Sequence, residues 1–341
     1  MENYEFVGES VDKLVTVDVR PPQLKQGLIE KLYWAAREKM KRPLTLLAAE
    51  KLKEALGPNS LAIISTGFVV PPHFPVGEMD GPPGAVALGK IINRGLGSKV
   101  LFLTEETVVN TMRATCAGAG IKLYDYESFK KLSRCVAVKD FPIDEGRARE
   151  ETNKIIKELK PSAIVTLEKV GRNRKGVYHT GLGSDMGPYS AKVDLLVDAA
   201  REKGILTIGI GDYGNEIGFG VVEDTARELA EYGKKCQCPC GGGMVTSVKT
   251  DVVVMAAMSN WGGYGIETCL AVLLGDLDLI HGPETERRII EQCSLAGASD
   301  GATNASDFMA DGISVEGQMA MMTLLKQVAL RKTEKVFYER D

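Results

Sequence analysis

The chain has 341 residues, 44% hydrophobic, 26% charged and 6% aromatic, and a net charge of −4. That composition supports a sizeable core, shows no disordered or repetitive signature and gives no basic footprint for a nucleic-acid partner. The longest apolar runs, such as VVVMAAM at 252–258, reach about a third of the ~20 residues a membrane-spanning helix needs, so no membrane span is expected.

The opening MENYEFVGESVDKLVTVDV has no basic head followed by an apolar stretch, so a cytoplasmic protein without a secretory signal is expected. LKQGLIEKLYWAAREKM and PLTLLAAEKLKEAL space apolar residues by three and four and predict two helices, the second starting at Pro43. Six short apolar runs then predict strands: SLAIIST, SKVLFLT, IKLYDY, SAIVTLE, ILTIGIG and DVVVMAAMS. Helices are expected between them over about 84–96, 105–119, 144–160, 190–203 and 221–233. Short buried runs alternating with helices predict an α/β fold: a mostly parallel, Rossmann-like sheet with helices on both faces. After Ser259 the pattern is helical again, through GGYGIETCLAVLLG, ETERRIIEQCSLAG and SVEGQMAMMTLLKQVALRK; HGPETE at 281–286 reads as a helix start, with Pro283 near its first position. No linker or internal repeat divides the chain. The expectation is a single domain over 1–341, with a helical lead (1–57), an α/β core (58–260) and a helical extension (261–341). The oligomeric state is left open.

The cysteines number seven, an odd count in a chain too large to need disulfides, which predicts reduced thiols. Cys236, Cys238 and Cys240 in CQCPCGGG could bind a soft metal such as zinc if a fourth ligand came from elsewhere. The lack of a second Cys/His pair at zinc-site spacing favours the other reading, a Gly-rich surface loop that carries thiols.

In open parallel sheets, ligands bind beyond the carboxyl ends of the strands. Thr66 and Gly67 follow the first strand, with Glu78 and Asp80 in the loop beyond. Glu168 ends SAIVTLE, Asp212, Asn215 and Glu216 follow ILTIGIG, and Ser259, Asn260 and Trp261 follow DVVVMAAMS. Any one of these acids could simply cap a helix. Gathered at one sheet edge they would repel one another unless a cation sat between them, and an all-oxygen set suits a hard divalent ion, Mg²⁺, Mn²⁺ or Ca²⁺. Gly209, Gly211 and Gly214 have the G-x-G-x-x-G spacing of a dinucleotide fingerprint. No nucleotide is expected there, because Gly218 and Gly220 postpone the following helix, Asp212 would face the phosphates, and EYGKKCQCPC stands where the ribose-binding acid should come.

STGFVVPP, GEMDGPPGAVAL, TLEKVGRNRKGVYH, GIGDYGNEIGFG, AAMSNWGGYG, AGASDGAT and ADGIS occur in an order that resembles the D-glutamate cyclase C-terminal-like family over most of residues 45–315. The resemblance implies an α/β fold and, for the characterised branch, conversion of D-glutamate to 5-oxo-D-proline with loss of water. It implies a site of Thr66, Gly67, Glu78, Asp80, Glu168, Asp212, Asn215, Glu216, Asn260 and Trp261, with Asp300 and Asp311 behind them. The chain departs from the family pattern at Tyr213, where Gly is usual, at Lys169, where Arg is usual, and in HTGLG, which lacks an expected Arg. The chemistry the resemblance implies is within reach of these residues. Glu168 or Asp212, with Glu216 beside them, would serve as base and acid. A divalent metal, Mg or Mn, on Glu78, Asp80, Asp212 or Glu216 would polarise the γ-carboxylate. Arg172 is the remaining candidate to hold the α-carboxylate. A metal-dependent phosphohydrolase, with the basic stretch Lys169, Arg172, Arg174 and Lys175 on phosphate, and a noncatalytic metabolite-binding domain are the alternatives.

Overall fold

Five of the six expected strands form, and with a sixth at another place they make one all-parallel sheet. The computed structural model describes residues 3–19 and 27–331; the first residues of the LKQGLIEKLYWAAREKM prediction and the end of the extension lie outside them. Three helices come first, α1 (Asn3–Val15), α2 (Leu28–Met40) and α3 (Leu44–Ala55). The α/β part then runs β1 (Leu61–Ser65), α4 (Pro82–Gly95), β2 (Lys99–Thr104), α5 (Val109–Gly118), α6 (Tyr126–Lys131), β3 (Val136–Asp140), α7 (Glu145–Lys154), β4 (Ala163–Leu167), α8 (Val193–Glu202), β5 (Leu206–Gly211), α9 (Glu223–Leu229) and β6 (Val252–Met255). The chain closes with α10 (Ser259–Leu274), α11 (Pro283–Leu295), a two-residue-per-strand ribbon of β7 (Met309–Ala310) and β8 (Ile313–Ser314), and α12 (Val315–Leu330).

The misplaced strand is IKLYDY. Its alternation ends at Asp125, whose carboxylate accepts from Ser128 N at 2.9 Å and so starts α6. Only an isolated bridge from Leu123 to Val136 touches the sheet. The strand is instead VAVKD, an edge strand whose polar end, Lys139 and Asp140, is half-buried and breaks the apolar signal.

The strand order is β3-β2-β1-β4-β5-β6, so the chain reverses direction of travel between β1 and β4. At such a point the two flanking connections leave to opposite faces and open a crevice at the carboxyl ends. Alternation along the strands feeds two cores. Ala62, Ile64, Val100, Phe102 and Val165 pack under α1, α3, α4, α5, α10 and α12, while Leu61, Ile63, Leu101, Leu103 and Ile164 pack under α6, α7 and α8. The lead and the extension therefore share one face, where α10 packs against α1, α3, α4 and α12. Buried Asp12 of α1 fixes α3: its carboxylate accepts from Leu44 N (2.6 Å), Thr45 N (3.1 Å), Thr45 Oγ1 (2.5 Å) and Tyr33 Oη (3.0 Å). Pro43 precedes α3 as its cap residue. Among the described residues no helix is long and apolar enough to cross a membrane.

Candidate functional site

At the reversal point three acids from three connections meet. Asp80 ends the loop from β1, Glu168 follows β4 and Asp212 follows β5; a carboxylate oxygen from each lies within 4.8 Å of the others. All are buried, at 1%, 5% and 8% exposure. Asp80 is held by the start of α10, its Oδ2 accepting from Ser259 N (2.7 Å) and its Oδ1 from Asn260 N (2.7 Å) and Gly81 N (3.1 Å). Asn260 returns the arrangement to α4: its Oδ1 accepts from Gly81 N (2.9 Å) and Gly84 N (2.8 Å), and its Nδ2 donates to Met79 O (3.0 Å). Each helix start is thus capped by a side chain from the other's segment. Glu168 adopts a left-handed backbone, φ 46°, and its Oε2 accepts from Ser259 Oγ at 2.6 Å.

The glycines of GIGDYGNEIGFG serve this geometry. Gly209 and Gly211 lie inside β5, and the loop doubles back across its own strand. A Cβ on Gly209 would meet Ile217 O at 2.1 Å, and one on Gly211 would meet Glu216 Cβ at 2.8 Å. Glu216 pins the turn from within: Oε1 accepts from Asp212 N (3.4 Å) and Tyr213 N (3.0 Å), Oε2 from Gly214 N (2.7 Å). Its carboxylate thus braces the loop that carries Asp212, and the acids that come together within 4.8 Å are Asp80, Glu168 and Asp212.

Electrostatics sharpen the cluster. Burial pushes the Asp80 carboxyl up to about 7, against the pull of the Asn260 and Ser259 N–H groups. Burial, then the charges of Asp212, Glu216 and Asp80, raise Glu168 well above the carboxylate range. Burial and the charges of Asp311, Asp80 and Asp300 do the same for Glu78. Buried carboxylates at this separation need a proton or a cation between them, and their all-oxygen donors fit a hard divalent ion. Beside Glu168, the Thr66 hydroxyl is buried with no partner, as is Asn215 Oδ1, whose Nδ2 donates to His179 O at 3.1 Å.

Other expected residues stand elsewhere. Glu78 is outside the trio. It bridges to Ser299, and its Oε2 shares the space around Gly301 with the Asp311 carboxylate. Asp300 orders the same tail loop, accepting from Thr303 N (2.7 Å), Thr303 Oγ1 (2.7 Å) and Gly312 N (2.8 Å). Trp261 is a core residue, its Nε1 donating to Gln318 Oε1 at 2.7 Å. The Arg172 guanidinium is ion-paired with Asp194 and Asp198 of α8. The rest of the basic stretch is also engaged, Arg174 with Glu223 and Asp224 (2.5 and 2.8 Å) and Lys175 Nζ with Cys240 O (2.8 Å), which leaves a phosphate little to bind. Two surface depressions, about 210 and 170 Å³, share Lys90 and Arg94 and lie away from the acids.

Sequence reasoning missed Glu105. Fully buried Lys169 pairs with Glu105 Oε1 and donates to Gly67 O at 2.9 Å, while Glu105 Oε1 also accepts from Ala191 N at 2.8 Å. Burial lowers the Lys169 ammonium, with Glu105 pulling the other way. Gly67, at φ 119°, has no room for a side chain, since its Cβ would lie 2.4 Å from Glu105 Oε2. The strand-end rule applied to KVLFLT would have found Thr104 and Glu105.

Human mitochondrial D-glutamate cyclase is 28% identical over 215 residues, 62% of this chain and 32% of the human protein, so the chain spans about a third of the length of that relative. The family described as D-glutamate cyclase-like, C-terminal, matches residues 12–326. Nearly the whole described fold lies within that match, and the chain belongs to this family.

Proposed function

We propose that the chain is an enzyme of the D-glutamate cyclase type, which closes D-glutamate or a related amino acid to 5-oxo-D-proline in the cytoplasm. The observation that carries the reading is the buried meeting of Asp80, Glu168 and Asp212 at the reversal point. In the reaction the α-nitrogen forms a bond to the carbon of the γ-carboxyl group (Cδ), one C–O bond of that carbon breaks, and the two protons that leave the ammonium nitrogen are matched by two that join the departing oxygen, which leaves as water. Asp212, on the glycine-rich loop, takes the ammonium proton. Glu168, whose burial favours its protonated form, returns a proton to the departing oxygen. Thr66 Oγ1 donates to a substrate carboxylate and Asn215 Oδ1 accepts from the amine, each thereby gaining the partner it lacks. A divalent Mg or Mn ion would be held by the Asp80 and Asp212 side of the cluster, leaving Glu168 to carry its proton; when bound it would supply Lewis-acid polarisation of the γ-carboxylate. The tail residues Glu78, Asp300 and Asp311 support this edge from behind.

The test incubates the purified chain with D-glutamate, L-glutamate and a generic phosphate ester, each with EDTA or added Mn²⁺. Metal-dependent oxoproline from D-glutamate is expected, with Asp212→Asn lowering turnover by about 10²- to 10⁴-fold. Phosphate release, or undiminished turnover in Asp212→Asn, would overturn the assignment.

A further inference from the structure

The acids are one of two groups of side chains that could hold an ion among the described residues; the other is built from sulfur and nitrogen. His179 lies between β4 and α8, and Cys236, Cys238 and Cys240 between α9 and β6. His179 Nε2 is 3.2 Å from Cys238 Sγ and 3.6 Å from Cys240 Sγ; Cys236 Sγ is 3.5 Å from Cys238 Sγ and 3.3 Å from Cys240 Sγ. All four ligand atoms lie within 4.8 Å of one another, and none of the cysteines is in a disulfide. A tetrahedron with Zn–S near 2.3 Å and Zn–N near 2.0 Å has S···S edges of about 3.8 Å and S···N edges of about 3.5 Å. The four observed edges lie within about half an ångström of these values.

We propose that His179, Cys236, Cys238 and Cys240 form a structural Cys₃His zinc site. Binding replaces three thiol protons, released to solvent, with three Zn–S bonds and one bond from neutral His179 Nε2, leaving a net charge of −1 on the site. With four protein ligands the ion has no open position for a substrate, so its role is to join two chain segments. The surroundings suit thiolates. Gly242 N and Asn173 Nδ2 donate to Cys240 Sγ at 3.3 and 3.6 Å, and the amide of Gln237, between two ligands, donates to Gly183 O at 2.9 Å. His179 and Cys236 are buried, so the fourth ligand that CQCPC lacks locally is already in place. The ion would also fix the peptide whose carbonyl, His179 O, holds Asn215 beside the acidic loop. This inference goes beyond the proposed reaction and does not rest on it.

The test is metal content of the full chain, expressed in zinc-supplemented medium, freed of any polyhistidine tag and dialysed. About one zinc per chain is expected, retained in Asp80→Asn and lost in Cys238→Ser and in His179→Gln. Exchange with cobalt(II) should give the thiolate charge-transfer and tetrahedral ligand-field bands of a sulfur-rich site. On the unmutated protein, titration with a mercurial should release zinc in step with thiol modification, which keeps the test open if the variants do not fold. Zinc below about a tenth of an equivalent in the unmutated protein, retention of zinc by a folded Cys236→Ser/Cys238→Ser variant, or loss of zinc in Asp80→Asn with the thiols reactive throughout would overturn the proposal.

Discussion

Glu168 shows what the site asks of single residues. A non-glycine residue in the left-handed region costs about 1–3 kcal/mol, and here the carboxylate is buried beside other acids as well. Glu168→Gln replaces a carboxyl that must either take up a proton or bury its charge on folding with a neutral amide of the same shape. The metal-free protein should therefore melt higher while turnover of D-glutamate falls by about 10²-fold or more, a pair of opposite shifts read by calorimetry and an oxoproline assay. Arg172 predicts the contrary pattern. Arg172→Ala strands the buried Asp194 and should cost about 2–3 kcal/mol in urea unfolding, less than a fully buried pair because the guanidinium is 31% exposed, with KM for D-glutamate unchanged. Glu168 and Asp212 were legible because a carboxylate directly after a buried strand is conspicuous. The Lys169–Glu105 pair was not, since it depends on which strands become neighbours, nor were the ion pairs of Arg172, whose partners lie one turn apart on a later helix.

At the scale of elements, α10 and α11 are joined by a buried network that the sequence disclosed only in part. HGPETE does start a helix at Pro283, as its first-turn acids and proline indicate. That His281 and Glu286 turn inward was hidden, because the second carboxylate, Glu267, comes from α10. His281 Nδ1 lies 2.6 Å from Glu267 Oε2 and Nε2 3.0 Å from Glu286 Oε2, and Tyr264 Oη donates to Glu286 Oε1 at 2.6 Å. Burial alone would lower the imidazole's affinity for a proton, but the two carboxylates outweigh it and raise His281 to about 9. The folded state thus binds this proton more tightly than the unfolded chain, whose value is near 6.5. Its stabilisation is complete below pH ~6.5, declines above that and is gone once pH passes ~9, a loss on the order of 3 kcal/mol. Urea unfolding at pH 6 and 9.5 should show a loss of stability that is smaller in His281→Gln than in the unmutated protein by about this amount.

For the molecule as a whole, the class of fold was readable from alternating runs and helices, but the strand order was not, because pairing is a property of the assembled sheet. Its most general consequence is a link between acidity, metal and stability. Asp80, Glu78 and Glu168 hold their protons more tightly folded than unfolded, so their favourable contribution is complete near pH 4 and is lost as pH rises, for Asp80 through about 7. Added Mn²⁺ should therefore raise the melting temperature by several degrees at pH 8 and hardly at all at pH 5, where protons already occupy the site; an equal shift at both would contradict it. The exchanged caps between Asp80 and Asn260 carry a further implication, for the order in which the protein is made. The start of α4 cannot be completed until residue 260 has left the ribosome, so about three quarters of the chain must wait with the edge that carries Asp80 unfinished. A protein cut short before α10 would keep most of its acids and none of their alignment, and activity should arrive during synthesis as a late, single event.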